Sequence, residues 1–140
     1  MTVSYREKII TLWAVFLLGT LFHTQLGLMP LFHNLSVVTS EAERTEEIAW
    51  VLWLMLGFFA VPMLTMIAPL FNDSRAYRKL HFGITVFYSV LNLAHVIADL
   101  TVPQIEWYQI ALMVFLFCIG LLLNVVSWQW LRERHHSKFL

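Results

Sequence analysis

Long uncharged apolar runs, separated by short polar and charged connections, set the pattern of this chain. Four of them cover residues 9–32, 48–71, 80–98 and 107–131, each nineteen to twenty-five residues long. The hydrocarbon core of a bilayer is ~30 Å thick and a helix rises ~1.5 Å per residue, so about 20 apolar residues cross it once. Each run therefore predicts one transmembrane helix. The connections are short, so neighbouring helices must run antiparallel. This predicts an all-α integral membrane protein, an up-down-up-down bundle of four transmembrane helices in a single domain over 1–140. The first run exceeds the ~7–15 apolar residues of a secretory signal and is expected to be retained.

Local signals place the helix ends. Ser40-Glu-Ala-Glu43 has the spacing of a capping box and predicts that helix two starts near there. Asn72 or Asp73 can cap helix three, and Pro103 suits the first turn of helix four. Pro62 and Pro69 each remove an amide donor inside the second run, so that helix is expected to kink or to end near Pro69. Met63 and Met66 accompany them as adaptable packing residues, with copper binding the less favoured reading.

Composition agrees with a membrane protein: 59% of residues are hydrophobic and 13% charged, about half the ~25% of soluble domains. Nine basic residues balance nine acidic ones, so no charge excess favours nucleic acid. The single cysteine, Cys118, rules out an intrachain disulfide and a cysteine cluster for zinc or iron–sulfur. Charge placement carries more information. Arg6, Lys8, Arg75, Arg78, Lys79, Arg132, Arg134 and Lys138 fall on one side of the predicted bundle and only Arg44 on the other. By the positive-inside rule both termini lie on the cytoplasmic, stromal or matrix side. The opposite rim is acidic, with Glu41, Glu43, Glu46, Glu47, Asp99 and Glu106.

The third run holds the strongest chemical signal. His81, Thr85, Tyr88, Asn92, His95 and Asp99 recur at steps of four, three, four, three and four, which gathers them on one helix face. Polar side chains in hydrocarbon need partners, so this stripe is expected to face the bundle interior. Interhelical hydrogen bonds explain Thr85, Ser89 and Asn92. Two histidines on the same face point further, to ligands. Counted from the basic residues before each span, His23 and His95 reach ~22 and ~24 Å into the bundle at ~1.5 Å per residue. They are expected to be level.

His81 and His95 are fourteen residues apart, about 40° around the helix and ~21 Å along it. That His-x13-His helix, with Arg78-Lys-Leu-His81 leading into Leu93-Ala-His95-Val-Ile, resembles the haem-ligating helix of the cytochrome b family over about twenty residues. The resemblance implies haem b, with His23, His95 and His81 as cofactor-binding residues. Gly19 and Gly27 would then let a flat macrocycle approach the first helix. This chain departs from the family's pattern at the inner position: only His135 and His136, beyond helix four, stand opposite His81.

Other chemistry fits the same residues. His23, His95 and Asp99, with His33 near their level, could surround zinc, copper or iron instead of haem. Asp99 could equally orient His95 through its second nitrogen, or cap the helix end in water. Two functions remain open on the sequence. The first is a small haem-b-type protein or subunit taking part in electron transfer within the membrane. The second is a cofactor-free accessory subunit or assembly factor of a larger membrane complex. The lipid bilayer is the expected environment, other subunits are possible partners, and nothing resembles a free-standing hydrolase.

Overall fold

The computed structural model describes residues 3–38, 44–103 and 105–133. Four long helices carry nearly all of it: α1 (Tyr5–Leu28), α2 (Thr45–Ile67), α3 (Arg75–Asp99) and α4 (Trp107–Arg132). Short 3-10 turns, Met29–His33 and Ala68–Leu70, extend α1 and α2. There is no strand among the described residues. All four helices are long and apolar enough to cross a membrane. Their outward positions are apolar too, among them Leu18, Phe22, Trp53, Leu64 and Leu121, a surface that water would not tolerate over this area.

Helix ends follow local chemistry, and three of them differ from expectation. Ser4 and Glu7 form a reciprocal capping box at the start of α1: the Ser4 amide donates to the Glu7 carboxylate at 2.8 Å, and the Glu7 amide to the Ser4 hydroxyl at 3.3 Å. This start is four residues before the apolar run begins. The cap of α3 is Ser74, which accepts from the Tyr77 amide at 3.2 Å, and neither Asn72 nor Asp73. Asn72 instead accepts from the Ser74 amide at 2.9 Å, while the Asp73 carboxylate is taken by Arg6 and Arg78. Helix α4 begins at Trp107 after Glu106, so Pro103 lies outside it. Arg44 precedes α2 without a side-chain cap; Ser40-Glu-Ala-Glu43 lies outside the described residues, as do His135 and His136.

Side-chain pairs give the relative directions. Trp13 meets His81 and His23 meets His95, so α1 and α3 run the same way. Tyr77 reaches Thr65 and Tyr88 reaches Phe58, so α2 opposes α3. Ser89 pairs with Asn124 and Arg78 with Trp130, so α4 opposes α3 as well.

The core is a three-helix affair. Ile9, Trp13 and Phe16 of α1, Tyr88 and Val96 of α3, and Met113, Leu116, Leu123 and Trp130 of α4 form one buried cluster. Two glycines allow the close approach: a β-carbon at Gly19 would run into Leu116, and one at Gly120 would stand 3.0 Å from the Ser89 hydroxyl. In α2 only Pro62 and Thr65 are fully buried. That helix leans on α1 and reaches α3 mainly through two tyrosine hydroxyls.

Those hydroxyls answer the prolines. A proline has no amide to donate to the carbonyl four residues before it, so Pro62 frees the carbonyl of Phe58 and Pro69 that of Thr65. Tyr88 donates to the Phe58 carbonyl at 2.8 Å, and Tyr77 to the Thr65 carbonyl at 3.2 Å. Beside Tyr77, at the arginine-rich end, Arg78 is buried. Its guanidinium donates to the Trp130 carbonyl at 2.7 Å and to Asp73 at 2.8 Å, and stands over the Trp130 ring at 5.1 Å. A cation thus closes the C-terminus of α4, where carbonyls lack helical partners.

Candidate functional site

Because α2 is tied to α3 at only a few points, a cleft opens between them with α1 as its floor. Its volume is about 690 Å³, and Leu54, Phe59, Val61, Phe87 and Leu91 supply apolar walls, within the ~300–1,000 Å³ of small-molecule sites. Polar groups along it are few. The hydroxyls of Thr20, Thr24 and Tyr88 are spent on the carbonyls of Phe16, Thr20 and Phe58. His23, His95 and the amide of Asn92 face the cleft without such a commitment.

His23 and His95 meet here. Their Nε2 atoms are 3.4 Å apart and the ring planes cross at 83°. Asp99, one turn beyond His95, brings Oδ2 to 3.5 Å from His95 Nε2 and 4.0 Å from His23 Nε2. The carboxylate oxygen is buried yet makes no hydrogen bond among the described residues. Three metal-ligating atoms therefore converge within 4.8 Å of one another while satisfying none of each other fully. Near them His23 Nδ1 and Asn92 Oδ1 are also buried and unpartnered among the described residues. His81 Nδ1, Asn124 Oδ1 and Ser127 Oγ are likewise unpartnered among the described residues, away from the cluster; what sets this group apart is that its atoms lie beside three convergent metal-ligating atoms.

With bonds of ~2.0–2.1 Å, two ligands of a tetrahedral ion stand ~3.4 Å apart, whereas ligands on opposite faces of one iron stand ~4.1 Å apart. Of the observed separations, 3.4 and 3.5 Å match the first value and 4.0 Å the second, so one ion can lie among the three donors. A haem between the same imidazoles would require the nitrogens to part and the Asp99 carboxylate to leave the gap. Of the glycines expected to admit a macrocycle, Gly19 packs on Leu116, whereas Gly27 borders open space.

The other expected residues are distributed as follows. His81 is fully buried, 0% exposed, and far from the cluster; its Nε2 accepts from the Trp13 indole at 3.1 Å, with Tyr77 and Trp130 rings around it. A bond accepted at Nε2 places the ring proton on Nδ1, so this imidazole is neutral. Thr85, Tyr88 and Asn92 are buried on the stripe as expected, joined by Ser89, whereas the side chain of His95 remains 52% exposed at the cleft. His33 is exposed and outside the cluster. Sequence reasoning missed Arg78, which looked like one more topological charge, and Trp13, which looked like one more apolar residue.

A scan against protein-family models found no match. Searches of curated proteins and of solved structures each returned none.

Proposed function

We propose that this chain is a membrane-embedded metal-binding protein in which His23, His95 and Asp99 hold one divalent first-row ion, zinc or iron(II). The observation that supports this reading is the convergence of two Nε2 atoms and one carboxylate oxygen at 3.4–4.0 Å, a two-histidine, one-carboxylate set that leaves coordination positions open. Since both histidines line the cleft, the open side of the ion would serve molecules dissolved in lipid. The four helices cross the bilayer with the arginine-rich end on the cytoplasmic, stromal or matrix side. The metal then lies toward the opposite leaflet. When bound, the ion supplies Lewis acidity or a redox change; the protein's part is to hold three donors at fixed spacing in an environment from which water is largely excluded.

Elemental analysis and a visible spectrum of the protein purified in mild detergent test the reading. We expect about one zinc or iron per chain, no Soret band, and loss of the metal in Asp99→Ala and His23→Ala. A Soret band lost in His95→Ala would instead return the protein to the b-type cytochromes. Metal-free, colourless protein would leave the accessory-subunit reading.

A further inference from the structure

The cleft reaches the metal cluster through His23 and His95, and its chemistry is segregated: apolar walls along α2 and α3, polar groups where the histidines and Asn92 line it. Building on the metal reading above, we propose that the cleft binds a single-chain membrane amphiphile with a hydroxyl head, a long-chain alcohol. Its tail lies between α2 and α3, and its head lies between Asn92 and the ion.

Two independent features of the cleft select this occupant. Asn92 is 6% exposed and its Oδ1 has no partner among the described residues, although it lines the cleft. That oxygen requires a donor. An alkane brings none, and a carboxylate, which could ligate the ion, still brings no donor to Asn92. A hydroxyl donates its proton to Asn92 Oδ1 and turns a lone pair toward the open position left by His23, His95 and Asp99. The second feature is the wall. Leu54, Phe59, Val61, Phe87 and Leu91 offer no polar side chain to a second head or to a polar body, so beyond its first atoms the ligand must be hydrocarbon. The gap between α2 and α3 gives such a tail lateral access from lipid, while the Tyr88 to Phe58 bond limits how far it extends toward the arginine-rich end.

Gly57 makes the inference testable without touching a ligand-binding polar group. It lines the cleft, and a β-carbon added there meets nothing within 4 Å, so a side chain can start from this position and Gly57→Leu is chosen to fill the cleft. The experiment photolabels the protein in nanodiscs with a diazirine-bearing long-chain alcohol, competes with 1-hexadecanol, palmitate or hexadecane, and maps labelled residues by mass spectrometry. We expect labels on Leu54, Phe59 and Leu91. Hexadecanol should compete about tenfold better than hexadecane or palmitate, the effect of one good hydrogen bond. Asn92→Leu should erase that preference, and Gly57→Leu should abolish cleft labelling while keeping its metal. Labels spread over the outer positions Leu18, Phe22 and Leu121, or equal competition by hexadecane or palmitate, would overturn the inference. Metal content of the same samples separates the two claims: metal retained with no alcohol preference defeats the amphiphile alone, whereas alcohol preference without metal defeats the metal reading and leaves the cleft site standing.

Discussion

The hydroxyl of Tyr88 does the work of the amide that Pro62 lacks. Pro62 cannot donate to the Phe58 carbonyl one turn before it, and Tyr88 of α3 donates there at 2.8 Å. The same exchange recurs where Tyr77 reaches the Thr65 carbonyl, one turn before Pro69. A helix with two prolines in an apolar run is thereby kept continuous enough to span, and the bonds that repair it also fix its distance from α3. That distance defines the cleft.

Tyr88→Phe should therefore destabilise the protein by about 1–3 kcal/mol, because the Phe58 carbonyl that Pro62 frees loses the hydroxyl donor. In a Pro62→Ala background the restored helical amide supplies a donor, so the cost of Tyr88→Phe should fall toward zero. Unfolding in mixed sodium dodecyl sulfate micelles measures the cycle. Equal costs of Tyr88→Phe in both backgrounds would show that the hydroxyl matters for another reason.

Arg78, the neighbour of Tyr77, ties α3 to the end of α4. It joins Asp73, the Trp130 ring and the carbonyls of Trp130 and Glu133. Arg78→Gln should destabilise by about 1.5–3 kcal/mol, the range for hydrogen bonds to charged groups. Lysine should rescue little, since one ammonium cannot reproduce the planar fork that addresses Asp73 and Trp130 together. The same unfolding assay decides; full rescue by Arg78→Lys would reduce the role to charge alone.

Asp73 predicts a dependence on pH. Partial burial works to raise its carboxyl pKa, but hydrogen bonds and charge from Arg78 and Arg6 outweigh this and hold it below the ordinary aspartate value. A group depressed in the folded state stabilises fully above its unfolded pKa, ~3.9, and that contribution is lost as pH falls through the folded value. Stability measured from pH 6 downward should decline below about pH 4, and Asp73→Asn should flatten that part of the curve. An unchanged slope in the variant would assign the acid sensitivity elsewhere.

The two tested glycine environments of α1 should differ. Gly19→Val drives a side chain into Leu116, whereas Gly27→Val enters open space. Overpacking of this kind typically costs about 1–3 kcal/mol, so Gly19→Val should be the more damaging by that margin. Pairing it with Leu116→Ala should recover part of the loss. Thermal unfolding in detergent reads the difference, and equal effects at both sites would place the two glycines in similar surroundings.

Much of this was legible before any coordinates. Four apolar runs predict four helices because bilayer thickness fixes a length that sequence alone expresses. The meeting of His23 with His95 followed from counting residues from the basic ends, since rise per residue is constant along a helix. The cleft was not legible, because it depends on how far α2 stands from α3, a tertiary quantity. Its determinants were nevertheless present: Pro62 and Pro69 free two carbonyls at calculable positions, and Tyr77 and Tyr88 carry hydroxyls that need acceptors. Tyr88 falls on the polar stripe of the third run, but no spacing rule links either tyrosine to a particular carbonyl of the second. Ser4-Tyr-Arg-Glu7 is a plain capping box in the sequence and was passed over because it precedes the apolar run. His81 shows the limit of periodicity: it shares a face with His95, yet the Trp13 indole occupies its Nε2, and no spacing rule identifies that partner.

X-ray absorption at the zinc or iron edge of the purified protein tests the central claim most directly. The account predicts four to six nitrogen or oxygen neighbours near ~2.0–2.2 Å, with the outer-shell scattering of two imidazoles in wild type and no bound metal in His95→Ala, as in His23→Ala. Four equatorial pyrrole nitrogens with axial imidazoles, or an ion surrounded by water alone, would contradict it.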